Sequence, residues 1–195
     1  RMTDSIKDIS ESEKVLRLSR QEESKVLEFK ESFSLDKKLY EYKENSKTNK
    51  KRIEFIDNKE FIIESALEKT CINTIAAFLN TDGGTLLIGI KEFKTEPNHI
   101  VGIGPEIKKF HGKSSDKFVT YFVQKLDETL GSENFTNINI QLVEVFDKYV
   151  LRIDCKKAPD DVFVKGEFMI RTTPSTRKLS TKQYREHKKN QGQSI

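Results

Sequence analysis

The feature that constrains the fold most is an apolar segment interrupted by a pair of glycines. Apolar residues recur at helical spacing through residues 60–79, which predicts a helix with a wide apolar face. Gly83 and Gly84 follow and permit a sharp reversal of the backbone. Residues 85–90 carry no charge and are largely apolar, as expected of a strand covered on both faces. The sequence therefore predicts a helix, a tight turn and a central buried strand.

The periodic segments after this turn are mostly strand-like. We expect a short strand at 99–104, a loop at 105–114 and a helix at 116–130, which is capped by Ser114 or Ser115 and stopped by Gly131. Two strands at 138–146 and 149–155 should be joined by a turn at Asp147-Lys148. Two further strands at 162–164 and 167–171 and a basic helix at 180–189 complete the predicted order. This order predicts one α+β domain, with a mixed, mainly antiparallel sheet flanked by helices.

Composition shifts along the chain suggest where this domain begins and ends. Residues 1–20 are polar and are expected to be a partly mobile N-terminal segment. The domain is expected to cover residues 21–188, followed by a tail at 189–195. Within it, residues 35–59 are rich in Lys, Glu, Asn and Tyr with weak periodicity, which indicates a charged insertion.

Charge is distributed unevenly along the chain. The formal net charge is +4 over 195 residues, which permits an anionic partner without requiring one. Residues 165–189 carry eight Lys or Arg against two acidic residues, a net charge of +6, whereas residues 1–34 are nearly neutral. The C-terminal region is therefore where an anionic partner is expected to bind.

Several classes of site and location are excluded or disfavoured. Two cysteines and three scattered histidines lack the spacing of a zinc site, and Cys71 and Cys155 are expected to be buried, reduced thiols of a cytoplasmic protein. No apolar run reaches the length of a membrane span. The Asn80–Gly84 turn lacks the phosphate-loop pattern and precedes its strand, so no ATP binding is expected there.

Four sequence blocks, in order, resemble the Schlafen AlbA-type domain. The blocks are Glu23-Ser24-x-x-x-Glu28-Phe29-Lys30, Ala77-Phe78-x-Asn80-Thr81-x-Gly83-Gly84-x-x-x-Ile88-Gly89-Ile90, Ile100-Val101-Gly102-Ile103, and Phe168-x-Ile170-Arg171-x-x-x-Ser175-Thr176-Arg177. The resemblance implies nucleic-acid binding and, for some members, metal-dependent cleavage of tRNA or other RNA by three carboxylates. It also raises the expectation of a homodimer.

Carried over residue by residue, the resemblance implies an acidic catalytic site. Its first two carboxylates fall on Glu23 and Glu28, with Lys30 two positions further on. The third family carboxylate usually lies in an Asp-Asp pair after the central strand, where this chain has Lys91-Glu92, so only Glu92 can serve. Three carboxylates would bind Mg²⁺ or Mn²⁺, provided that they converge. Lys30 could stabilise charge in the transition state. The alternative is that these are ordinary solvated glutamates.

Basic and hydroxyl side chains near the C-terminus form a second candidate site. They could contact phosphates, or they could be a solvated helix face. The set is Arg171, Ser175, Thr176, Arg177, Lys178, Lys182 and Arg185. Among the histidines, His111 is a candidate general base without an identified partner, the alternative being an ordinary surface histidine.

Two functions remain open at this stage. The first is a metal-dependent endoribonuclease acting on structured RNA such as tRNA; RNA is the favoured nucleic-acid partner and DNA the alternative. The second is a non-catalytic DNA- or RNA-binding module, a sensor within a transcription-regulatory or antiviral-defence protein. The sequence does not decide whether the protein is an enzyme. A protein-interaction domain without nucleic-acid binding is a third reading.

Overall fold

The computed structural model describes residues 9–35, 66–92 and 99–192. Most of the predicted insertion at 35–59, the first residues of the predicted helix at 60–79, the start of the N-terminal segment and the end of the tail lie outside the described residues. No helix in the described ranges is long and apolar enough to cross a membrane.

The described residues alternate helices with short strands. The helices are α1 (Glu11–Ser19), α2 (described over 66–79), α3 (Gly104–Phe110), α4 (Ser115–Leu130) and α5 (Thr181–Asn190), with a 3₁₀ helix at Ser132–Asn137. The strands are β1 (Leu27–Lys30), β2 (Gly84–Ile88), β3 (Ile90–Lys91), β4 (His99–Ile100), β5 (Ile138–Val145), β6 (Lys148–Cys155), β7 (Phe163–Val164), β8 (Glu167–Thr172) and β9 (Ser175–Leu179).

The strands form one four-stranded sheet and two smaller sheets. The main sheet has the order β1-β2-β6-β5, in which β1 and β2 are parallel and the other pairs antiparallel. The order of the three-stranded sheet is β7-β8-β9, and β3 pairs with β4. The predicted α+β class, with a mixed and mainly antiparallel sheet, is confirmed.

The central strand is buried on both faces, as predicted. Leu86 and Ile88 belong to the apolar cluster formed with α2 and α4. Leu87 points to the opposite face, where it joins Val15 of α1 and Phe29 of β1 in a second cluster. Alternation along a single strand thus supplies both halves of the core.

The glycine pair makes the turn between α2 and β2. Gly83 has φ of 77° and donates its N–H to the Phe78 carbonyl oxygen at 3.0 Å. A Cβ at Gly83 would lie 2.5 Å from the Cys155 carbonyl oxygen, and one at Gly84 would lie 2.5 Å from the Phe78 ring. Both positions therefore exclude a larger residue, for conformational and steric reasons.

Asn80 joins the end of α2 to the three-stranded sheet. Its amide nitrogen donates to the carbonyl oxygens of Val162 at 2.8 Å and Met169 at 2.9 Å. Its amide oxygen accepts the Val162 N–H at 2.8 Å. The side chain therefore fixes the end of α2 against the three-stranded sheet.

Three boundaries differ from the sequence predictions. The loop expected at 105–114 contains α3, because Pro105 suits a first helical turn and Glu106 is buried there, accepting the N–H groups of Phe33 and Ser34. The strand expected at 99–104 is only His99–Ile100. The β5–β6 turn is centred on Phe146 and Asp147, one residue earlier than predicted, and both have positive φ.

Candidate functional site

Glu28 lies in the middle of β1, where it is buried. Leu27 and Phe29 on either side belong to the cluster around α1, so strand alternation directs Glu28 to the opposite face of the sheet. One carboxylate oxygen, Oε1, accepts a hydrogen bond from Lys30 Nζ. Two residues of the predicted acidic site are therefore in direct contact.

Arg171 of β8 holds the other oxygen of Glu28. Its Nη1 lies 2.8 Å from Oε2, which accepts no hydrogen bond, so the contact is an ion pair. The Arg171 side chain is fully buried and its guanidinium lies over the Phe78 ring. It donates to the carbonyl oxygens of Ser24 (2.7 Å), Lys25 (3.3 Å) and Pro174 (3.0 Å) and to the hydroxyl oxygen of Thr176 (3.1 Å).

These contacts correct the expectation that Arg171 and Thr176 meet a phosphate at the surface. Arg171 has no exposed side-chain area in this structure. The Thr176 hydroxyl accepts from Arg171 and lies 3.3 Å from the Thr74 hydroxyl. Arg171 instead connects the β8–β9 turn to Glu28 and to the segment that follows Glu23. The sequence signal available for this role was an arginine directly after the apolar run Phe168–Ile170.

The Glu23 side chain contacts the backbone of β1 at the residue that follows Glu28. Its Oε1 accepts the Phe29 N–H at 2.8 Å. Burial raises the pKa of the Glu23 carboxyl, the hydrogen bond from Phe29 opposes this shift, and the negative charges of Glu28 and Glu92 raise the pKa further. Glu28 and Glu92 thus lie near enough to Glu23 to affect its pKa.

Glu92 reaches this region because the chain bends between β2 and β3. Gly89 has φ of 110° and donates its N–H to the Lys30 carbonyl oxygen at 2.8 Å, which ties the end of β2 to the end of β1. β3 then leads to Lys91, which pairs opposite His99, and to the exposed Glu92. The third carboxylate therefore follows the central strand, as the resemblance implied.

The arrangement does not by itself form a metal centre. Three carboxylates are suitable donors for Mg²⁺ or Mn²⁺. Among the described residues, however, no group of three or more His, Cys, Asp or Glu side chains is placed to hold a metal ion. Both oxygens of Glu28 face cations of the protein instead, Lys30 on one side and Arg171 on the other.

The basic face consists of exposed residues of β9 and α5. Ser175, Arg177, Lys182 and Arg185 are exposed. Lys178 is also exposed, although its Nζ lies 2.6 Å from Glu167 Oε1. Of the seven predicted nucleic-acid contacts, five therefore lie at the surface, Arg171 is buried, and the half-buried Thr176 accepts a hydrogen bond from Arg171.

Local interactions fix α5 against the three-stranded sheet. Ser180 and Gln183 form a capping box, in which the Ser180 hydroxyl accepts the Gln183 N–H at 3.3 Å and the Gln183 side chain accepts the Ser180 N–H at 3.0 Å. The Tyr184 ring packs against Phe168 at 4.9 Å between centroids, and its hydroxyl donates to Asp161 at 2.7 Å. The exposed cations of α5 are therefore held in a fixed orientation.

His111 is buried, contrary to the expectation of a surface histidine. Only 8% of the residue is exposed, and its ring packs against Phe118 and Tyr121. The sequence contained no signal for this, because the burial depends on α3, which was not predicted.

Comparisons with known proteins agree with the fold and identify the family. The N-terminal domain of a protein from Nitrosomonas europaea, described as related to the ATP-dependent DNA helicase RecG, superposes with a TM-score of 0.50 at 18% identity, covering 89% of this chain and 95% of that domain. The DIP2311 protein from Corynebacterium diphtheriae gives a TM-score of 0.45 at 17% identity, covering 67% of this chain but only 23% of that protein. No curated protein matches the chain.

One family model, described as Schlafen, AlbA_2, matches residues 23–180. This range includes β1, the central strand and the β8–β9 hairpin, and hence both the acidic site and all four sequence blocks on which the resemblance rested. The match extends over far more than half of the chain, which therefore belongs to the Schlafen AlbA_2 family of nucleic-acid-related domains.

Proposed function

We propose that this domain binds nucleic acid through the face formed by β9 and α5. The observation that carries the proposal is the fixed display of exposed cations there, with Arg177 on β9 and Lys182 and Arg185 on α5. Guanidinium and ammonium groups neutralise phosphates and release counterions, so such a face gives salt-dependent affinity. The neighbouring Ser175 hydroxyl suits a phosphate oxygen. RNA, and structured RNA such as tRNA in particular, is the favoured partner.

The test is a salt series of binding measurements by fluorescence anisotropy, with tRNA and with duplex DNA. Arg177→Ala should weaken binding and reduce the slope of log affinity against log salt by about 0.7 to 0.9, the effect of one lost phosphate contact. Lys117→Ala removes one exposed charge from α4 and serves as the matched control, with no change in slope expected.

Equal effects of the two substitutions would place the interface elsewhere. Absence of binding by the folded protein at low salt would overturn the proposal and favour a protein-interaction domain. A clear preference for duplex DNA over tRNA would retain the binding function and reject the RNA preference.

A second candidate is metal-dependent cleavage of RNA at Glu23, Glu28 and Glu92, assisted by Lys30. The negative charges of Glu28 and Glu92, which help raise the pKa of Glu23, support it. The present contacts of Glu28 oppose it, since Mg²⁺ or Mn²⁺ would have to compete with Lys30 and Arg171 for the carboxylate oxygens.

Incubation of tRNA with the protein and Mn²⁺ or Mg²⁺ tests this candidate. If the activity exists, cleavage should stop with a chelator and fall at least about a hundredfold in Glu28→Gln. Binding of tRNA by Glu28→Gln should remain, because the basic face is separate. Intact tRNA at high protein concentration, with binding retained and insensitive to the chelator, would leave the non-catalytic sensor or regulatory module as the function.

The expected homodimer stays a prediction, for which analytical ultracentrifugation is the direct measurement. A role in defence or transcription is likewise a proposal.

A further inference from the structure

A small cavity lies between the segment after β1 and helices α2, α3 and α4. Its volume is about 250 Å³ and it is lined by Ser34, Glu68, Phe110, His111 and Tyr121. None of these residues belongs to the acidic site or to the basic face. The volume is below the range of pockets for drug-sized ligands and suits a single ring.

The polar groups of this cavity present mainly hydrogen-bond acceptors. Glu68 Oε1 accepts hydrogen bonds from the Tyr121 hydroxyl at 2.6 Å and the Ser34 hydroxyl at 2.9 Å. Because both hydroxyl hydrogens are directed at Glu68, these hydroxyls offer a ligand only their lone pairs. The second oxygen of Glu68 has further accepting capacity. A ligand that complements this wall must donate hydrogen bonds.

His111 adds an unsatisfied polar group to the same wall. The residue is 8% exposed, and its Nε2 atom is buried without a hydrogen-bond partner. Burial lowers the pKa of His111, so the ring is neutral at pH 7 and has one donor and one acceptor nitrogen. A buried polar atom without a hydrogen bond lowers the free energy of unfolding. A ligand that bonds to Nε2, directly or after a small movement of the ring, would recover this loss.

Aromatic rings and two lysines complete the surroundings. The rings of His111 and Tyr121 are 5.2 Å apart between centroids and tilted by 48°. Lys109 Nζ lies 4.5 Å from the centre of the Phe110 ring, and Lys125 Nζ lies 5.5 Å from that of Tyr121. Lys125 Nζ also lies 3.8 Å from Glu128 Oε2, in a long and partly exposed ion pair. The two ammonium groups disfavour a second cation, such as an arginine side chain, and favour an anionic group beside the cavity.

We propose that this cavity binds a cytosine nucleotide, with the exocyclic amine donating to Glu68, the ring against the aromatic walls and the phosphate beside Lys109 and Lys125. A carboxylate accepting from the cytosine amine is an established pairing, and sequence-tolerant stacking on aromatic rings is common for unpaired bases. This proposal deepens the proposed function by assigning a pocket for one base of the bound nucleic acid. If the nucleotide belongs to a strand, the proposal rests on the proposed nucleic-acid binding. A free nucleotide would be recognised by the same chemistry.

The test compares cytidine and uridine 5′-monophosphates by titration into the full chain labelled with ¹⁵N. Uridine places a carbonyl oxygen where cytidine has its amine, so we expect at least tenfold weaker binding. Cytidine monophosphate should shift the amide resonances of Ser34, Glu68, His111 and Tyr121. The same comparison is made with oligo(C) and oligo(U). Stronger binding of oligo(C) would show that the cavity binds an unpaired cytosine within a nucleic-acid strand.

Two variants locate the site. Glu68→Gln presents an amide N–H₂ in place of an acceptor and should abolish the preference for cytidine. Asp127→Asn, a change of an exposed carboxylate further along α4, should preserve it. The comparison on the unmodified protein requires no variant, so it remains decisive if Glu68→Gln fails to fold.

Equal affinity for the two nucleotides, no binding of either, or tighter binding of methylguanidine would each overturn the proposal. Arg177→Ala separates it from the proposed function, because this variant should lose RNA affinity and keep cytidine monophosphate binding. RNA binding without nucleotide discrimination rejects only the base pocket. Nucleotide binding without RNA binding rejects only the role of the basic face and identifies the free nucleotide as the ligand.

Discussion

The guanidinium of Arg171 contacts three parts of the chain that are distant in sequence. It pairs with Glu28 of β1, donates to the Ser24 carbonyl oxygen, and bonds to Pro174 in the β8–β9 turn. A planar group with five N–H donors can make these contacts together, whereas an ammonium cannot reproduce the geometry. Arg171 therefore positions the acidic site rather than contacting its ligand.

Replacement of Arg171 by Met should destabilise the protein strongly. It leaves the Glu28 carboxylate buried with Lys30 alone and removes the donors to three carbonyl oxygens. Breaking a buried pair of this kind costs about 3 to 5 kcal/mol in the free energy of unfolding. Urea unfolding measures the loss, with Arg177→Met as the exposed control, expected within about 0.5 kcal/mol of the parent. Similar unfolding midpoints for the two variants would reject the positioning role.

The position of individual side chains was only partly predictable. The family blocks predicted that Glu23, Glu28 and Glu92 form one acidic site, and that assignment stays a prediction; Glu28 and Glu92 help raise the pKa of Glu23. Arg171 shares the buried face of β8 with Met169, as strand alternation requires. Its inward direction was nevertheless missed, because an arginine is seldom fully buried and its charge was assigned to the surface.

At the scale of elements, the basic helix α5 depends on its cap more than on burial. No residue of α5 is buried, and its attachment relies on Tyr184, Lys188 and the Ser180–Gln183 capping box. A helix with so little apolar contact is sensitive to the loss of one terminal hydrogen bond.

Ser180→Ala should loosen the first turn of α5 without unfolding the domain. The cap contributes about 1 kcal/mol to helix stability. Amide hydrogen exchange at residues 181–184 should accelerate about fivefold, and RNA affinity should fall modestly because Lys182 loses its fixed position. Thr129→Ala, within α4, offers a comparable hydroxyl loss away from the cap. Unchanged exchange in Ser180→Ala would contradict the argument.

Elements with local signals were predicted well, and those that depend on distant contacts were not. The prediction of α4 succeeded because Ser114 caps it and Gly131 follows it in the sequence. The prediction of a loop at 105–114 was wrong, since the Glu106 carboxylate in α3 binds backbone N–H groups more than seventy positions earlier. No window of neighbouring residues contains that interaction.

At the scale of the whole molecule, Glu106 links stability to pH. Burial raises the pKa of its carboxyl to about 7, although the N–H groups of Phe33 and Ser34 oppose the shift. The folded state therefore binds the proton more tightly than the unfolded chain, where the ordinary value is 4.5. The contribution to stability is complete below about pH 4.5 and is lost as the pH rises through 7.

The free energy of unfolding should accordingly include a component that falls between about pH 5 and about pH 8, by at most about 1.4 kcal/mol per unit of pKa shift. Glu106→Gln removes the titrating group and should flatten the profile relative to the parent. The comparison is necessary because burial lowers the pKa of His111, which makes stability rise with pH near 6.5. Identical profiles for the two proteins would show that Glu106 is charged in the fold at neutral pH.

The contact between Arg171 and the Ser24 carbonyl spans 147 positions, which has a consequence for the order of synthesis. A ribosome delivers Glu23, Glu28 and Lys30 early and the β8–β9 hairpin close to the end of the domain. A nascent chain that stops before β8 has both glutamates but lacks the guanidinium that fixes them. The acidic site is therefore assembled only when synthesis of the domain is nearly complete, and truncated translation products lack it.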